Sequence, residues 1–218
     1  MTGRDRAQTD VDVVRGIRYA RAKRFGLPVL EPLRPERLTA PAPQPGAAGA
    51  EDCLHLTVWS PQNAHALPVL VWIHGGAHIA GSTADRTTDG ARLAATQNLV
   101  VVAVQYRLGA LGHLFIGAEI NGGADAGNAA LHDQLAALRW VRDHIAEFGG
   151  NPDAVTIMGQ SAGGVDVLTL LTVAEGKSLV HRAIAHSCTA ERTLSIAQAV
   201  QVRDDLLEVS DLPTVRGR

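Results

Sequence analysis

The chain has 218 residues, a formal net charge of −2, 46% hydrophobic residues and 19% charged residues. This length suffices for one domain with a hydrophobic core, and the small net charge argues against binding to nucleic acid or to an anionic membrane. No apolar run approaches the roughly 18 residues of a membrane span, and the polar N-terminus lacks the apolar core of a secretion signal, so we expect a cytoplasmic protein without membrane contact.

Two segments precede the region of alternating strands and helices. Residues 1–15 are predicted to be a polar lead-in. Residues 28–50 contain most of the ten prolines and are predicted to be an extended segment on the surface. Basic residues outnumber acidic ones in residues 1–37. A solvated basic arm is the simpler interpretation, and a basic patch that binds a partner is the alternative.

From residue 54 onward, short apolar strands alternate with amphipathic helices. Strands are predicted at 54–59, 68–74, 98–106, 154–158 and 179–185, and helices at 129–148, 162–173 and 195–209. Near-continuous apolar strands are typical of a sheet that is covered on both faces. The sequence therefore predicts an α/β fold with a mostly parallel sheet and flanking helices.

The strongest motif is Gly159-Gln160-Ser161-Ala162-Gly163, which fits the pattern G-x-S-x-G between a predicted strand and a predicted helix. A nucleophilic serine must project from a sharp turn at the carboxyl edge of a sheet, and flanking glycines remove Cβ atoms that would clash there. The N-terminus of the next helix directs N–H groups and its positive dipole end towards an oxyanion. The motif predicts Ser161 as a nucleophile; a glycine-rich turn with an incidental serine is the alternative.

A second glycine-rich segment, His74-Gly75-Gly76-Ala77, follows another predicted buried strand and precedes the serine in the chain. Two glycines allow backbone N–H groups to converge on a small anion. We therefore predict an oxyanion hole formed by the N–H groups of Gly75, Gly76 and Ala162. An ordinary turn after a strand is the alternative.

Six blocks of the chain resemble the type-B carboxylesterase and lipase family, which includes bacterial para-nitrobenzyl esterases and the cholinesterases. The blocks are 16–20 (GIRYA), 51–61 (EDCLHLTVWSP), 70–77 (LVWIHGGA), 101–112 (VVAVQYRLGALG), 127–153 and 155–164 (VTIMGQSAGG). The resemblance implies an α/β-hydrolase fold that hydrolyses a small carboxylic ester through an acyl-enzyme, without metal or cofactor. It covers only the family's N-terminal portion, so we expect residues 1–218 to form one partial domain, truncated after the nucleophile helix and the following strand.

Three residues near the predicted nucleophile depart from the family pattern. Gln160 stands in place of the usual Glu, Asp166 in place of a small hydroxyl residue, and Cys188 in place of a glycine. The acid and the histidine of the family lie in a C-terminal half that has no counterpart in this chain. His186, near the end of the strand after the nucleophile helix, is a candidate substitute base by position alone; a packed or hydrogen-bonded histidine is the simpler interpretation.

Two functions remain open from the sequence. One is a serine carboxylesterase that uses Ser161. The other is a catalytically inactive cholinesterase-like remnant or interaction module, which the missing acid and histidine favour and the intact serine disfavours. Loss of later strands would leave an exposed sheet edge, where a separately encoded C-terminal half or a second copy of the chain would bind.

The other chemistry-bearing residues predict no additional site. Cys53 and Cys188 do not make a disulfide framework, and their apolar contexts predict buried free thiols. The histidines show no spacing typical of metal ligands. His74, which ends a predicted strand, is expected to support the oxyanion loop rather than to act as a base.

Overall fold

The computed structural model describes residues 10–34, 37–117, 127–190 and 193–209. Its strands are β1 (Val11–Arg18), β2 (Ala20–Arg21), β3 (Val29–Leu30), β4 (His55–Pro61), β5 (Leu67–Ile73), β6 (Val100–Val104), β7 (Gly150–Gln160) and β8 (Arg182–His186). Its helices are α1 (Ala91–Gln97), α2 (Gly109–His113), α3 (Ala129–His144), α4 (Ala162–Leu170), α5 (Ala174–Leu179) and α6 (Ile196–Val209), with 3₁₀ turns at Arg86–Thr88 and Ile145–Phe148.

Six of these strands form one sheet in the order β1-β4-β6-β5-β7-β8. The β1–β4 and β4–β6 pairs are antiparallel, whereas β6, β5, β7 and β8 run parallel to one another. β6, the segment VVVAV, is buried at every position, as expected of a strand covered on both faces. The predicted α/β class, with a mostly parallel sheet and flanking helices, is confirmed.

Helices cover both faces of the sheet. On one face α3 packs the buried side chains of Leu135, Leu138 and Val141 into the main core, as their spacing of three residues predicts. On the other face α1 packs against a smaller cluster around Trp59 and Val101. The sheet therefore lies between two helical layers, and these layers hold its parallel strands in place.

A buried ion pair joins the end of β6 to α3. The guanidinium of Arg107 donates from Nε to Asp133 Oδ2 at 2.7 Å and from Nη2 to Asp133 Oδ1 at 2.6 Å. The side chain of Asp133 is fully buried and that of Arg107 is 4% exposed. Arg107 also donates to the carbonyl of Gly26 at 2.8 Å, so the pair ties the N-terminal segment to the core.

Two local predictions are wrong in detail. Residues 11–15, expected to belong to the polar lead-in 1–15, form the first part of β1, because they pair with β4 from Val11↔Pro61 onward; residues 1–9 lie outside the described residues. The strand predicted at 179–185 begins later, because Leu179 ends α5 with a buried side chain. A short apolar run does not by itself distinguish a helix end from a strand.

The proline-rich segment contains no helix in its described residues, 28–34 and 37–50. It holds β3 and the isolated bridges Ile17↔Arg37 and Gln44↔Ala47. Five basic residues of the described N-terminal region make ion pairs with acids. These pairs are Arg15–Asp89, Arg18–Asp52, Arg21–Glu31, Arg24–Glu51 and Arg34–Glu31. These pairs neutralise part of the positive charge of the N-terminal region.

The last strand and the last described helix are poorly covered. All five residues of β8 are exposed at the sheet edge, and α6 has no buried residue. Apolar side chains on α6 therefore face solvent, among them Ile196, Val202, Leu206 and Val209. Within the part of the chain that the structure describes, no helix is long and apolar enough to cross a membrane.

Candidate active site

Ser161 occupies a sharp turn between the end of β7 and the start of α4. Its backbone has φ 55° and ψ −121°, a strained conformation for a residue with a Cβ atom. The turn is tight enough that a Cβ on Gly159 would overlap the carbonyl of Gly163, and one on Gly163 would overlap the carbonyl of Ile73. The two motif glycines are therefore required by packing, as the sequence predicts.

The turn is fixed by backbone hydrogen bonds on both sides. The N–H of Ser161 donates to the carbonyl of His186 at 2.9 Å, and the N–H of Val165 donates to the carbonyl of Ser161 at 3.0 Å. Ala162 is the first residue of α4, and N–H groups of a first helical turn have no acceptor within the helix. The N–H of Ala162 therefore lies beside the serine at a positive helix end.

The loop that is predicted to bind the oxyanion, residues 74–81 and called the oxyanion loop for that prediction, follows β5 and lies directly against this turn. A Cβ on Gly75 would come within 2.6 Å of the carbonyl oxygen of Gln160 and 3.3 Å of the Cβ of Ser161. The loop turns back on itself where the N–H groups of Ile79 and Ala80 donate to the carbonyl of Gly76, both at 3.0 Å. The loop and the serine turn meet because β5 and β7 are parallel neighbours, with Ile73 paired to Gly159.

His74 anchors the start of the loop, as predicted. Its ring stacks on Tyr106 with centroids 4.4 Å apart, and the Tyr106 hydroxyl donates to the His74 carbonyl at 2.6 Å. Nδ1 donates to the carbonyl of Gly75 at 2.9 Å. Burial lowers the pKa of His74, which favours the neutral ring. The other end of the loop is held by Gln44, whose amide exchanges two hydrogen bonds with the backbone of Gly81.

A cleft of about 460 Å³ opens at the serine. Its lining residues are Ala77, His78, Ser161, Ala162, Val165, Ser187, Cys188 and Thr189. The cleft thus joins the oxyanion loop, the start of α4 and the segment after β8. Gly75 and Gly76 directly precede Ala77 in the loop and are not among the residues that line the cleft. His186 approaches Ser161 through its backbone carbonyl, and its side chain is not among those that line the cleft.

His78, on the wall of the cleft, is paired with a buried carboxylate, a contact that the sequence does not predict. His78 Nε2 lies 2.9 Å from Asp166 Oδ1, and Gln134 Nε2 donates to Asp166 Oδ2 at 2.7 Å. The side chains of His78 and Asp166 are 27% and 4% exposed. A signal for the carboxylate alone is present in the sequence: Asp166 is the departure that places a carboxylate on the nucleophile helix, and a buried carboxylate requires polar partners.

A second histidine packs on this pair. The rings of His78 and His113 lie with centroids 4.4 Å apart and tilted by 32°. Burial, followed by the nearby His78, lowers the pKa of His113 to about 4, with Asp166 acting in the opposite direction. His113 is therefore neutral at pH 7. No group of three or more His, Cys, Asp or Glu side chains among the described residues is arranged to hold a metal ion.

The two cysteines differ in accessibility. Cys53 is buried, as predicted, and burial is the main cause that raises its pKa to about 12. The prediction of a buried thiol is wrong for Cys188, which is partly exposed and lines the cleft. The sulfur of Cys188 packs against α4, since a Cβ on Gly164 would come within 2.9 Å of Sγ.

Comparison with known proteins places this geometry in a family. The sequence profile of the carboxylesterase family matches residues 2–211. The chain is 42% identical over 161 residues to the para-nitrobenzyl esterase of Bacillus subtilis (strain 168), covering 73% of this chain and 32% of that protein. It is 41% identical over 204 residues to a probable N-octanoylanthranilate hydrolase of Rhodococcus erythropolis, covering 84% of this chain and 44% of that protein.

Solved structures agree with these sequence matches. The crystal structure of a Geobacillus stearothermophilus carboxylesterase at pH 6.2 superposes with a TM-score of 0.89 at 35% identity, covering 95% of this chain and 46% of that chain. The chain thus spans less than half the length of each of these three proteins. Because the family profile matches nearly the whole sequence, this chain belongs to the carboxylesterase family.

Proposed function

We propose that this chain hydrolyses carboxylic esters, with Ser161 as the nucleophile and with oxyanion-binding N–H groups from the loop after β5 and from the start of α4. The observation that carries the proposal is the backbone of Ser161, which is held at φ 55° and ψ −121° on the wall of the cleft. Such strain is retained where the surrounding structure fixes it, and it is concentrated at functional sites. The membership of the family supports the same chemistry.

In the proposed reaction, Ser161 Oγ attacks the ester carbonyl carbon as a base takes its proton. The oxyanion that forms accepts hydrogen bonds from the N–H groups of Gly75, Gly76 and Ala162. The position of Ala77 on the cleft wall makes its N–H a further candidate donor. The alcohol then leaves, and water hydrolyses the acyl-enzyme. Removal of one oxyanion donor in comparable enzymes costs about 3–4 kcal/mol of barrier stabilisation.

The cleft favours a small uncharged ester as substrate. Its volume of about 460 Å³ falls within the range of about 300–1,000 Å³ that is typical of small-molecule sites. Small side chains, hydroxyl groups and one thiol make up most of its wall, which leaves room for an acyl chain beside the serine.

The test is hydrolysis of para-nitrophenyl acetate and butyrate by the purified chain, beside Ser161→Ala and His186→Ala. Turnover that disappears in Ser161→Ala supports the proposal and requires a base within this chain. Unchanged turnover in His186→Ala dismisses His186 as that base. Equal activity of the chain and of Ser161→Ala, or none in either, contradicts the proposal that the chain hydrolyses esters alone.

A second proposed role is pairing through β8. All five residues of β8 are exposed, and an exposed edge strand offers unpaired N–H and C=O groups to another strand. A separately produced C-terminal half of a relative, or a second copy of the chain, would complete the sheet there, and an inactive interaction module would use the same edge.

Light scattering after gel filtration, with and without such a C-terminal half, tests this role. A mixed complex or a dimer that Ile184→Asp or Ile184→Pro abolishes supports pairing at β8. A monomer under both conditions contradicts it.

A further inference from the structure

We propose that the hydrogen bond between His78 and Asp166 is a tether that positions the oxyanion loop against the nucleophile helix. The inference rests on the proposed function for its effect on catalysis, and on the structure alone for its effect on the loop. His78 and Asp166 are accordingly positioning residues, which act through the backbone N–H groups of the loop.

The loop has a backbone that requires external support. Ala77 and His78 are consecutive residues with φ 54° and φ 61°, and a left-handed backbone is unfavourable for residues that carry a Cβ atom. The ends of the loop are anchored by His74 and Gln44, as described above. The middle of the loop, which includes Ala77 on the cleft wall, is held by the contacts of His78.

His78 joins three elements at this point. Its carbonyl accepts the N–H of Gly109 at 2.7 Å, at the start of α2. Its ring packs on that of His113 near the end of α2, and its Nε2 contacts Asp166 on α4 at 2.9 Å. The last of these contacts links the loop to the same helix whose first residue, Ala162, supplies a proposed oxyanion donor.

The carboxylate end of the tether is itself fixed. Asp166 is buried, and its second oxygen accepts the amide of Gln134 from α3. The Oε1 atom of Gln134 is buried without a hydrogen-bond partner among the described residues. Rotation of the Gln134 amide would present Oε1. Asp166→Asn would then keep the contact to His78 through Oδ1 and replace the bond from Gln134 Nε2 by one from its own amide nitrogen to Gln134 Oε1, while losing the charge.

Loss of the tether would displace the N–H groups of the loop from the site where the oxyanion forms. Such misplacement lowers kcat more than it changes KM, because the oxyanion forms only in the transition state. A shift of 1 Å in a catalytic group can cost about 100-fold in rate. A side chain that acted only on overall stability would not produce this division between kcat and KM.

The kinetic experiment compares four variants in the full chain with para-nitrophenyl butyrate. His78→Ala and Asp166→Ala should lower kcat about 10- to 100-fold with KM changed less than about threefold, and the double variant should lose no more than either single one. His78→Gln, whose amide nitrogen takes the place of Nε2, and Asp166→Asn should recover most of kcat. His144→Ala removes a histidine from a remote exposed pair with Glu147 and serves as the matched control.

Amide hydrogen exchange of the peptide covering residues 74–81 tests the tether without relying on activity. The exchange rate should rise at least about tenfold in His78→Ala and Asp166→Ala, which corresponds to a loss of about 1.4 kcal/mol in local opening free energy. It should remain near that of the parent chain in the other three variants, which are His78→Gln, Asp166→Asn and His144→Ala.

The outcomes separate the two proposals. Unchanged loop exchange in His78→Ala overturns the tether, whether or not the chain is active. A loosened loop in a chain that never hydrolyses ester supports the tether and contradicts the proposed function. Activity lost as completely in His78→Gln as in His78→Ala, with normal loop exchange, overturns the tether in favour of a direct role of the imidazole in proton transfer.

Discussion

The backbone N–H of Ser161 donates to the carbonyl oxygen of His186 at 2.9 Å, so the nucleophile turn is bonded to the end of the exposed strand β8. In the parallel pairing of β7 and β8, Gln160, the last residue of β7, stands beside His186, and Ser161 is the residue that follows β7. A partner strand that stabilises β8 would therefore also stabilise the turn that presents Ser161.

The strain at Ser161 predicts that two small substitutions differ in their effect on stability. Glycine accepts φ 55° and ψ −121° with little cost, whereas alanine retains the Cβ atom. We expect Ser161→Gly to exceed Ser161→Ala in free energy of unfolding by about 1 kcal/mol. Urea unfolding of the two variants measures this difference, and equal midpoints would show that the turn is not strained.

The buried ion pair predicts a large loss of stability when one partner is removed. Asp133→Ala leaves the guanidinium of Arg107 buried without its carboxylate, which should cost about 3–5 kcal/mol. Asp143→Ala on the same helix removes an exposed partner of Arg142 and should cost less than about 1 kcal/mol. Similar urea midpoints for the two variants would contradict the prediction.

The lowered pKa of His113 predicts that the free energy of unfolding falls as the pH is lowered. Its pKa is lowered to about 4 in the folded chain, whereas the unfolded chain has a histidine pKa of about 6.5. The unfolded state therefore binds more protons below pH 6.5, and stability is lost as the pH falls from about 6.5 to 4. The contribution is at most about 3 kcal/mol.

Unfolding free energies of the parent chain and His113→Gln at pH 7, 5.5 and 4.5 test the contribution of His113. The variant should show the flatter dependence, and parallel curves would assign the acid sensitivity to other groups. His55 and His74, whose pKa values burial also lowers, act in the same direction and remain in both proteins.

The two thiols predict selective alkylation. At pH 8 a thiol with a pKa of about 12 is ionised to only about 1 part in 10⁴, and Cys53 is also buried. Iodoacetamide should therefore modify Cys188 first, and the added group should obstruct the cleft beside Ser161. Peptide mass spectrometry locates the label, with Cys188→Ala as the control; labelling of Cys53 in the folded chain would contradict the structure.

The strand–turn–helix geometry around Ser161 follows from local patterns. Apolar runs locate β5, β6 and β7, and the glycines around Ser161 indicate a turn without room for side chains. These features depend on residues that are neighbours in sequence, so a sequence pattern contains them. The start of β1 (VDVV) contains three β-branched valines, which favour a strand. The run is too short to indicate a strand without its partner β4, which lies more than 40 residues away.

The polar contacts of the cleft depend on distant residues. His78 and Asp166 are 88 residues apart, and neither has a local pattern that marks it as a partner of the other. Asp166 was noticed as a departure, but the loop conformation at Ala77 and His78 decides which side chain meets it. The His186 carbonyl, and not its ring, contacts Ser161, a distinction that the sequence does not contain.

The order of strands in the sheet also bears on how the chain folds. The pairs that create the nucleophile turn, Val69↔Val155 and Ile73↔Gly159, join segments that are far apart in the chain, so their formation carries a large loop-closure entropy. Proteins dominated by such non-local contacts fold slowly. We therefore expect the turn at Ser161 to assemble late. After dilution from denaturant, the reaction of Ser161 with an acylating reagent should recover more slowly than the helical circular dichroism to which α3 contributes.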